Sequence, residues 1–213
     1  MAAIRETVGR VESLIQTGPV MIELVLGQDV LPFLGVGGTT VPDGTGAVVT
    51  FTYDPTNPRF RVDHVRRGLV HELHHAGRLG MPEWRLTLLE LIVLEGLADH
   101  FVLEVSGGEV PPWSQALSEA ELEAYMEQVK PIANVEFDDW TPEFNDDLYV
   151  PWFFGRPGED PIPPWTGYSI GWTIVANYLR LHPDSKASTL VHVSADRIAE
   201  ATPELRVAGE RRR

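Results

Sequence analysis

The sequence predicts an α+β fold: a small twisted β-sheet beside two long helices, followed by a mostly helical C-terminal part. Three observations predict it. The apolar, β-branched runs Val20 to Leu26 and Val48 to Tyr53 are bounded by turn residues, Gly18-Pro19 and Gly27 around the first and Asp54-Pro55 after the second, as strands are. Between Phe60 and Gly77, Val62, Val65, Leu69, Leu73 and Ala76 recur at three- and four-residue steps, which on a helix makes one apolar stripe. From about Glu83 to Val105, apolar residues including Leu86, Leu89, Ile92, Val93, Leu97 and Phe101 cover nearly the whole circumference, and a helix apolar all round is buried.

In chain order, Ile4, Val8, Val11, Leu14 and Ile15 predict a first helix over residues 4–16, stopped by Thr17-Gly18-Pro19. After the Val20 strand, Gly35, Gly37, Gly38 and Pro42-Asp43-Gly44 read as a loop. The Val48 strand follows, and then the amphipathic helix. Pro82 at an early helical position starts the buried helix, which Ser106-Gly107-Gly108 ends. Ser118 and Glu121 carry the capping-box spacing ahead of a short amphipathic helix. Lys130 to Trp165 reads as a long irregular segment whose aromatics pack down; its acidic pair Asp146-Asp147 reads as solvated. Thr166 to Leu181 is the last strong helix, stopped by His182-Pro183, and residues 186–206 form one or two short ones.

At 213 residues the chain is long enough for one domain with a substantial core. Its formal net charge of −14 makes nucleic acid and anionic membrane poor partners; the basic end Gly209 to Arg213 is too short to alter that and reads as a frayed tail. Without cysteine there is no disulfide, thiolate metal site or cysteine nucleophile. Arg5, Glu6, Arg10 and Glu12 interrupt any leader-like apolar run, and Leu86 to Leu97 is too short to span a bilayer. The expectation is a soluble, cytoplasmic protein.

The chemistry concentrates in Val70-His71-Glu72-Leu73-His74-His75-Ala76. His71 and His75 stand at i and i+4, one turn apart on one helical face, with Glu72 between them. Two imidazoles so placed can share one Zn2+, and the intervening carboxylate can act as base toward water. Both histidines project away from the apolar stripe. His74 is a rival, because an i, i+3 pair with His71 is also possible. His64 lies two turns upstream, too far to be a ligand.

Downstream stands Glu95-Gly96-Leu97-Ala98-Asp99-His100-Phe101. Nineteen residues separate His75 from Glu95, and in this the sequence resembles the thermolysin-like metallopeptidases, whose third zinc ligand is a glutamate on a second helix. Together, HELHH, EGLADHF and Gly167-Tyr168-Ser169-Ile170-Gly171-Trp172 are similar to a bacterial family of predicted zinc-dependent proteases, over roughly Val20 to Leu181. The resemblance implies a zincin-like fold, Glu95 as third ligand, and Asp99 as a carboxylate that hydrogen-bonds the first histidine from outside the metal shell. It also implies that the strand before the metal helix lies at the sheet edge and pairs with extended substrate; the residues themselves fit an ordinary core strand equally well. Tyr168 becomes the candidate donor to the oxyanion, against the equal alternative of a core tyrosine whose hydroxyl is satisfied locally, with Arg180, His182 and His192 weaker candidates. Buried Glu90 has no evident partner in sequence.

The expected function is zinc-dependent peptide hydrolysis by one zincin-like domain covering residues 1–213, with a peptide or protein as substrate. The alternative is a zinc-bound but inactive peptide-binding or regulatory module. An intact Glu72 speaks against that, because a module that only binds has no need of the base.

Overall fold

The computed structural model describes residues 2–81, 84–137, 141, 144–156 and 158–205. Asp138-Asp139-Trp140 of the irregular segment, the Pro82-Glu83 start expected for the second long helix, and the basic tail lie outside them. The chain groups into two units, each taken by itself. The first holds the described residues of Met1–Pro82, His100–Glu109 and Lys186–His192; the second holds those of Glu83–Asp99, Val110–Ser185 and Val193–Arg213.

In the first unit, α1 (Ala2–Glu12) ends earlier than its apolar periodicity suggests. The amides of Leu14 and Ile15 still bond back to the Val11 carbonyl, at 2.8 and 3.0 Å, so Ile15 turns into the core. Three strands follow: β1 (Val20–Leu26), β2 (Val36–Pro42) and β3 (Ala47–Tyr53). They lie in the order β1-β3-β2, with β1 parallel and β2 antiparallel to β3. Two expectations are corrected here. The stretch read as a loop is β2: after its glycines, Thr39-Thr40-Val41 supplies β-branched residues that suit a pleated surface. Pro42 ends the strand, paired with Ala47, and Asp43-Gly44 lies in the hairpin turn that follows. There Asp43 Oδ1 accepts from the amides of Thr45 (3.1 Å) and Gly46 (2.8 Å), and these donors hold the Asp43 carboxyl below its ordinary range. The strand preceding the helix of His71 and His75, β3, is central and paired on both sides, so it cannot take up an extended peptide; the strand at the edge beside that helix is β2.

Helix α2 (Val62–Leu79) carries the histidines. Its residues Leu69, Val70 and Leu73 join Val11, Ile15, Val49, Phe101, Val102, Val105 and Val191 in one core. The apolar stripe is thus buried from Leu69 onward, while its first member, Val62, is exposed. Gly68 lets the helix approach the sheet: a Cβ there comes within 2.7 Å of the Phe51 ring.

Helix α3 (Leu88–Ser106) runs from the second unit into the first. It begins later than the proline signal predicts. Leu86-Thr87 instead forms a short strand, β4, against β5 (Glu136–Phe137), and the Thr87 hydroxyl caps the helix by accepting from the Glu90 amide at 3.0 Å. Threonine followed by glutamate three residues on is a helix-start signal, and Thr87 and Glu90 carry it.

In the second unit, α4 (Glu119–Val129) starts in the expected capping box of Ser118 and Glu121. The segment expected to be irregular is partly helical: a π-turn (Asn145–Tyr149) runs into α5 (Val150–Phe153). Phe144, Trp152 and Phe153 are buried there, and this burial orders a stretch that no periodicity marks. Asp146 and Asp147 stay exposed. Helix α6 (Thr166–Leu181) has its predicted bounds, and a 3-10 turn (Ala187–Leu190) in the first unit and α7 (Ala195–Ala199) in the second follow. The glycines of the two motifs explain one another: a Cβ on Gly96 falls 2.2 Å from the Gly171 carbonyl oxygen, and one on Gly171 falls 2.0 Å from that of Ile92. Backbone meets backbone where α3 and α6 cross.

Candidate metal centre

In the first unit, α2 brings His71, Glu72 and His75 together. One donor atom from each lies within 4.8 Å of the others, and the two imidazole rings stand 4.4 Å apart, nearly perpendicular. The i, i+4 spacing alone produces this pair. His71 is half-buried and His75 buried, so neither imidazole stands in open solvent. β2 packs along α2 at Glu72, where Thr40 and Gly38 meet that side chain. A Zn2+ ion bonds imidazole nitrogen and carboxylate oxygen at about 2.0–2.2 Å. Two neutral imidazoles beside a carboxylate, grouped this closely, suit it in chemistry and in reach.

His74, the rival ligand, is fully buried. Its ring packs 5.2 Å from that of Phe101, and among the described residues neither ring nitrogen has a partner at full hydrogen-bond geometry. Burial above all, with the nearby His75, Arg78 and His71, pushes its pKa well below the ordinary value, against a weak opposing contact from the Ala187 backbone. It is a neutral core side chain. His64 sits half-buried with Nδ1 2.9 Å from the Leu34 carbonyl. His192 reaches the Gly77 carbonyl at 3.2 Å.

Glu72 is 7% exposed and lies against β2. The Thr40 hydroxyl is 2.7 Å from Glu72 Oε2 and 3.1 Å from the Glu72 carbonyl oxygen. A Cβ on Gly38 falls 2.6 Å from Glu72 Oε1. Neither residue was legible as part of the site, since β2 itself was read as a loop.

Glu95 and Asp99 belong to the second unit, on the buried first part of α3. Asp99 Oδ2 accepts from Trp113 Nε1 at 2.8 Å and from the Ser114 hydroxyl at 2.5 Å. Those donors come from the 3-10 turn Pro112–Gln115, which α6 secures: the Ser169 hydroxyl donates to the Trp113 carbonyl (3.0 Å) and accepts from the Ala116 amide (3.1 Å). Nothing in the sequence near Trp113 announced this role beyond the need of a buried carboxylate for donors. Glu90 Oε2 accepts from the Ala195 amide at 3.4 Å, a partner distant in sequence. Tyr168 is half-buried on the first turn of α6, between the rings of Phe153 (5.5 Å) and Trp165 (5.7 Å). Trp165 enters that helix with φ at +70°, a conformation that costs a non-glycine residue about 1–2 kcal/mol.

The family described as "Predicted Zn-dependent protease (DUF2268)" matches residues 31–200. The chain belongs to that family. It is also 32% identical, over 126 residues, to "Uncharacterized protein YjaZ" of Bacillus subtilis (strain 168), a match covering 57% of this chain and 43% of that protein. The chain therefore spans less than half the length of this relative. No solved structure matches. Among the described residues no helix is long and apolar enough to cross a membrane.

Proposed function

We propose that the chain is a zinc-dependent peptidase of one zincin-like domain, acting as a soluble, cytoplasmic protein on a peptide or protein. The single observation that carries this reading is the convergence of His71, Glu72 and His75 within 4.8 Å. The family's description as zinc-dependent proteases supports it. His71 and His75 hold the ion, and the motif resemblance makes Glu95 the third ligand and Asp99 the carboxylate that orients His71. When bound, zinc lowers the pKa of a ligated water and polarises the scissile carbonyl.

The chain's own residues do the rest. Glu72, held against β2, takes the proton of the attacking water and passes it to the leaving amine. Tyr168 donates to the oxyanion that develops on the carbonyl oxygen, a contact that strengthens only in the transition state. The edge strand β2 offers backbone groups to an extended peptide, a general way of holding a substrate by its main chain.

Metal analysis of purified protein combined with a peptide-library digest tests the proposal. One zinc per chain and cleavage of a subset of peptides support it. Binding without cleavage at full zinc occupancy gives the function to the inactive binding module instead.

A further inference from the structure

Glu72 is one residue from His71 on α2, yet the contacts that place its carboxylate come from β2. Thr40 and Gly38 stand two positions apart, so both address the same face of that strand. A hydroxyl has one proton to give. At 2.7 Å to Oε2 against 3.1 Å to the carbonyl oxygen, the charge-assisted bond to the carboxylate takes it. The other oxygen, Oε1, lies over Gly38, where a Cβ would stand 2.6 Å from Oε1, 2.7 Å from Cγ and 2.8 Å from Cδ. Real Cβ atoms do not approach other atoms so closely. Position 38 is therefore glycine-shaped by the Glu72 side chain, at a φ that does not itself demand glycine.

From this geometry we propose that Thr40 and Gly38 are positioning residues for the base: one bonds Oε2, the other leaves the space in which Oε1 rests, and together they select one Glu72 rotamer. The inference rests on the reading of Glu72 as general base. It adds that the edge strand along α2 shapes the catalytic apparatus as well as offering a backbone. A displaced carboxylate is costly, because misplacement by about 1 Å at a reacting group can lower a rate by about 10²-fold.

Two measurements test it. The first uses metal-free protein and needs no activity: urea midpoints of the wild type, Gly38→Ala, Glu72→Ala and the double variant. Gly38→Ala lowers the midpoint when Glu72 is present, and most of that loss disappears in the Glu72→Ala background, where Cγ, Cδ and Oε1 are gone. Equal losses in both backgrounds overturn the proposal. The second is kinetic, on the zinc-loaded full chain. Thr40→Val lowers kcat about 10- to 100-fold, with KM and zinc content within about twofold, and Thr40→Ser restores most of it. Unchanged kcat in Thr40→Val, or a loss that Thr40→Ser does not restore, overturns it. A wild type that cleaves nothing refutes the peptidase reading, and the urea cycle then decides by itself whether β2 places the carboxylate.

Discussion

A methyl group added at Gly96 has an outcome opposite to the same change at Gly9. In α1, Gly9 is exposed and a Cβ there meets nothing within 4 Å. Alanine removes backbone freedom from the unfolded chain, so Gly9→Ala stabilises by about 0.5–1 kcal/mol. At Gly96 the new Cβ falls 2.2 Å from the Gly171 carbonyl oxygen and 2.3 Å from its carbon. An ordinary carbon–oxygen contact is about 3.3 Å, so α3 and α6 must part by roughly 1 Å. Overpacking of this kind costs about 1–3 kcal/mol and sometimes more. The obstacle is backbone, which cannot rotate aside, so the upper end applies: about 3 kcal/mol. With a urea slope of about 2 kcal/mol/M, Gly96→Ala lowers the midpoint by about 1.5 M and Gly9→Ala raises it by about 0.25–0.5 M. The assay is equilibrium urea unfolding followed by circular dichroism. A Gly96→Ala variant as stable as wild type refutes the close crossing of these helices.

Four further outcomes can be measured. His74→Ala keeps its zinc and loses about 2–4 kcal/mol of unfolding free energy through the cavity it leaves; loss of zinc instead moves the ligand pair to His71 and His74. Burial holds the His74 pKa well below 6.5, so its contribution is full above that unfolded value and declines as the pH falls below it. In zinc-free protein the unfolding midpoint therefore drops below pH 6.5, less so in His74→Leu. Asp99→Asn keeps the fold and costs about 10–100-fold in zinc affinity or turnover; if both stay unchanged, Asp99 serves only its bonds to Trp113 and Ser114. Tyr168→Phe lowers kcat by about 10²–10³-fold at unchanged zinc content and KM, whereas a lower melting temperature with normal turnover makes Tyr168 a packing residue among Phe153 and Trp165.

What could be read from the sequence was whatever a local period or spacing encodes. The i, i+4 histidines, the Ser118 capping box and the bounds of α6 depend on residues within one or two turns of each other, and each is found in the structure. What could not be read depends on residues far apart in the chain. Strand β2 is hidden by Gly35, Gly37 and Gly38, whose turn character outweighs Thr39-Thr40-Val41 until β3 supplies a partner. The partners of buried carboxylates are equally non-local: Glu90 meets Ala195, and Asp99 meets Trp113 and Ser114. The glycines of Glu95-Gly96 and Ile170-Gly171 looked like motif punctuation and are a helix crossing. His74, the less favoured ligand on spacing, is fully buried against Phe101, a packing that no local pattern encodes.

Glu72→Gln tests the central claim most directly. Glutamine keeps the size of the side chain and an oxygen that can accept from Thr40, but it cannot take a proton. The measurement is turnover of a peptide that the wild type cleaves, with zinc determined on the same preparations. The account predicts full zinc, unchanged melting temperature and a loss of hydrolysis of at least about 10²–10⁴-fold. Equal turnover in the two proteins at equal zinc contradicts it.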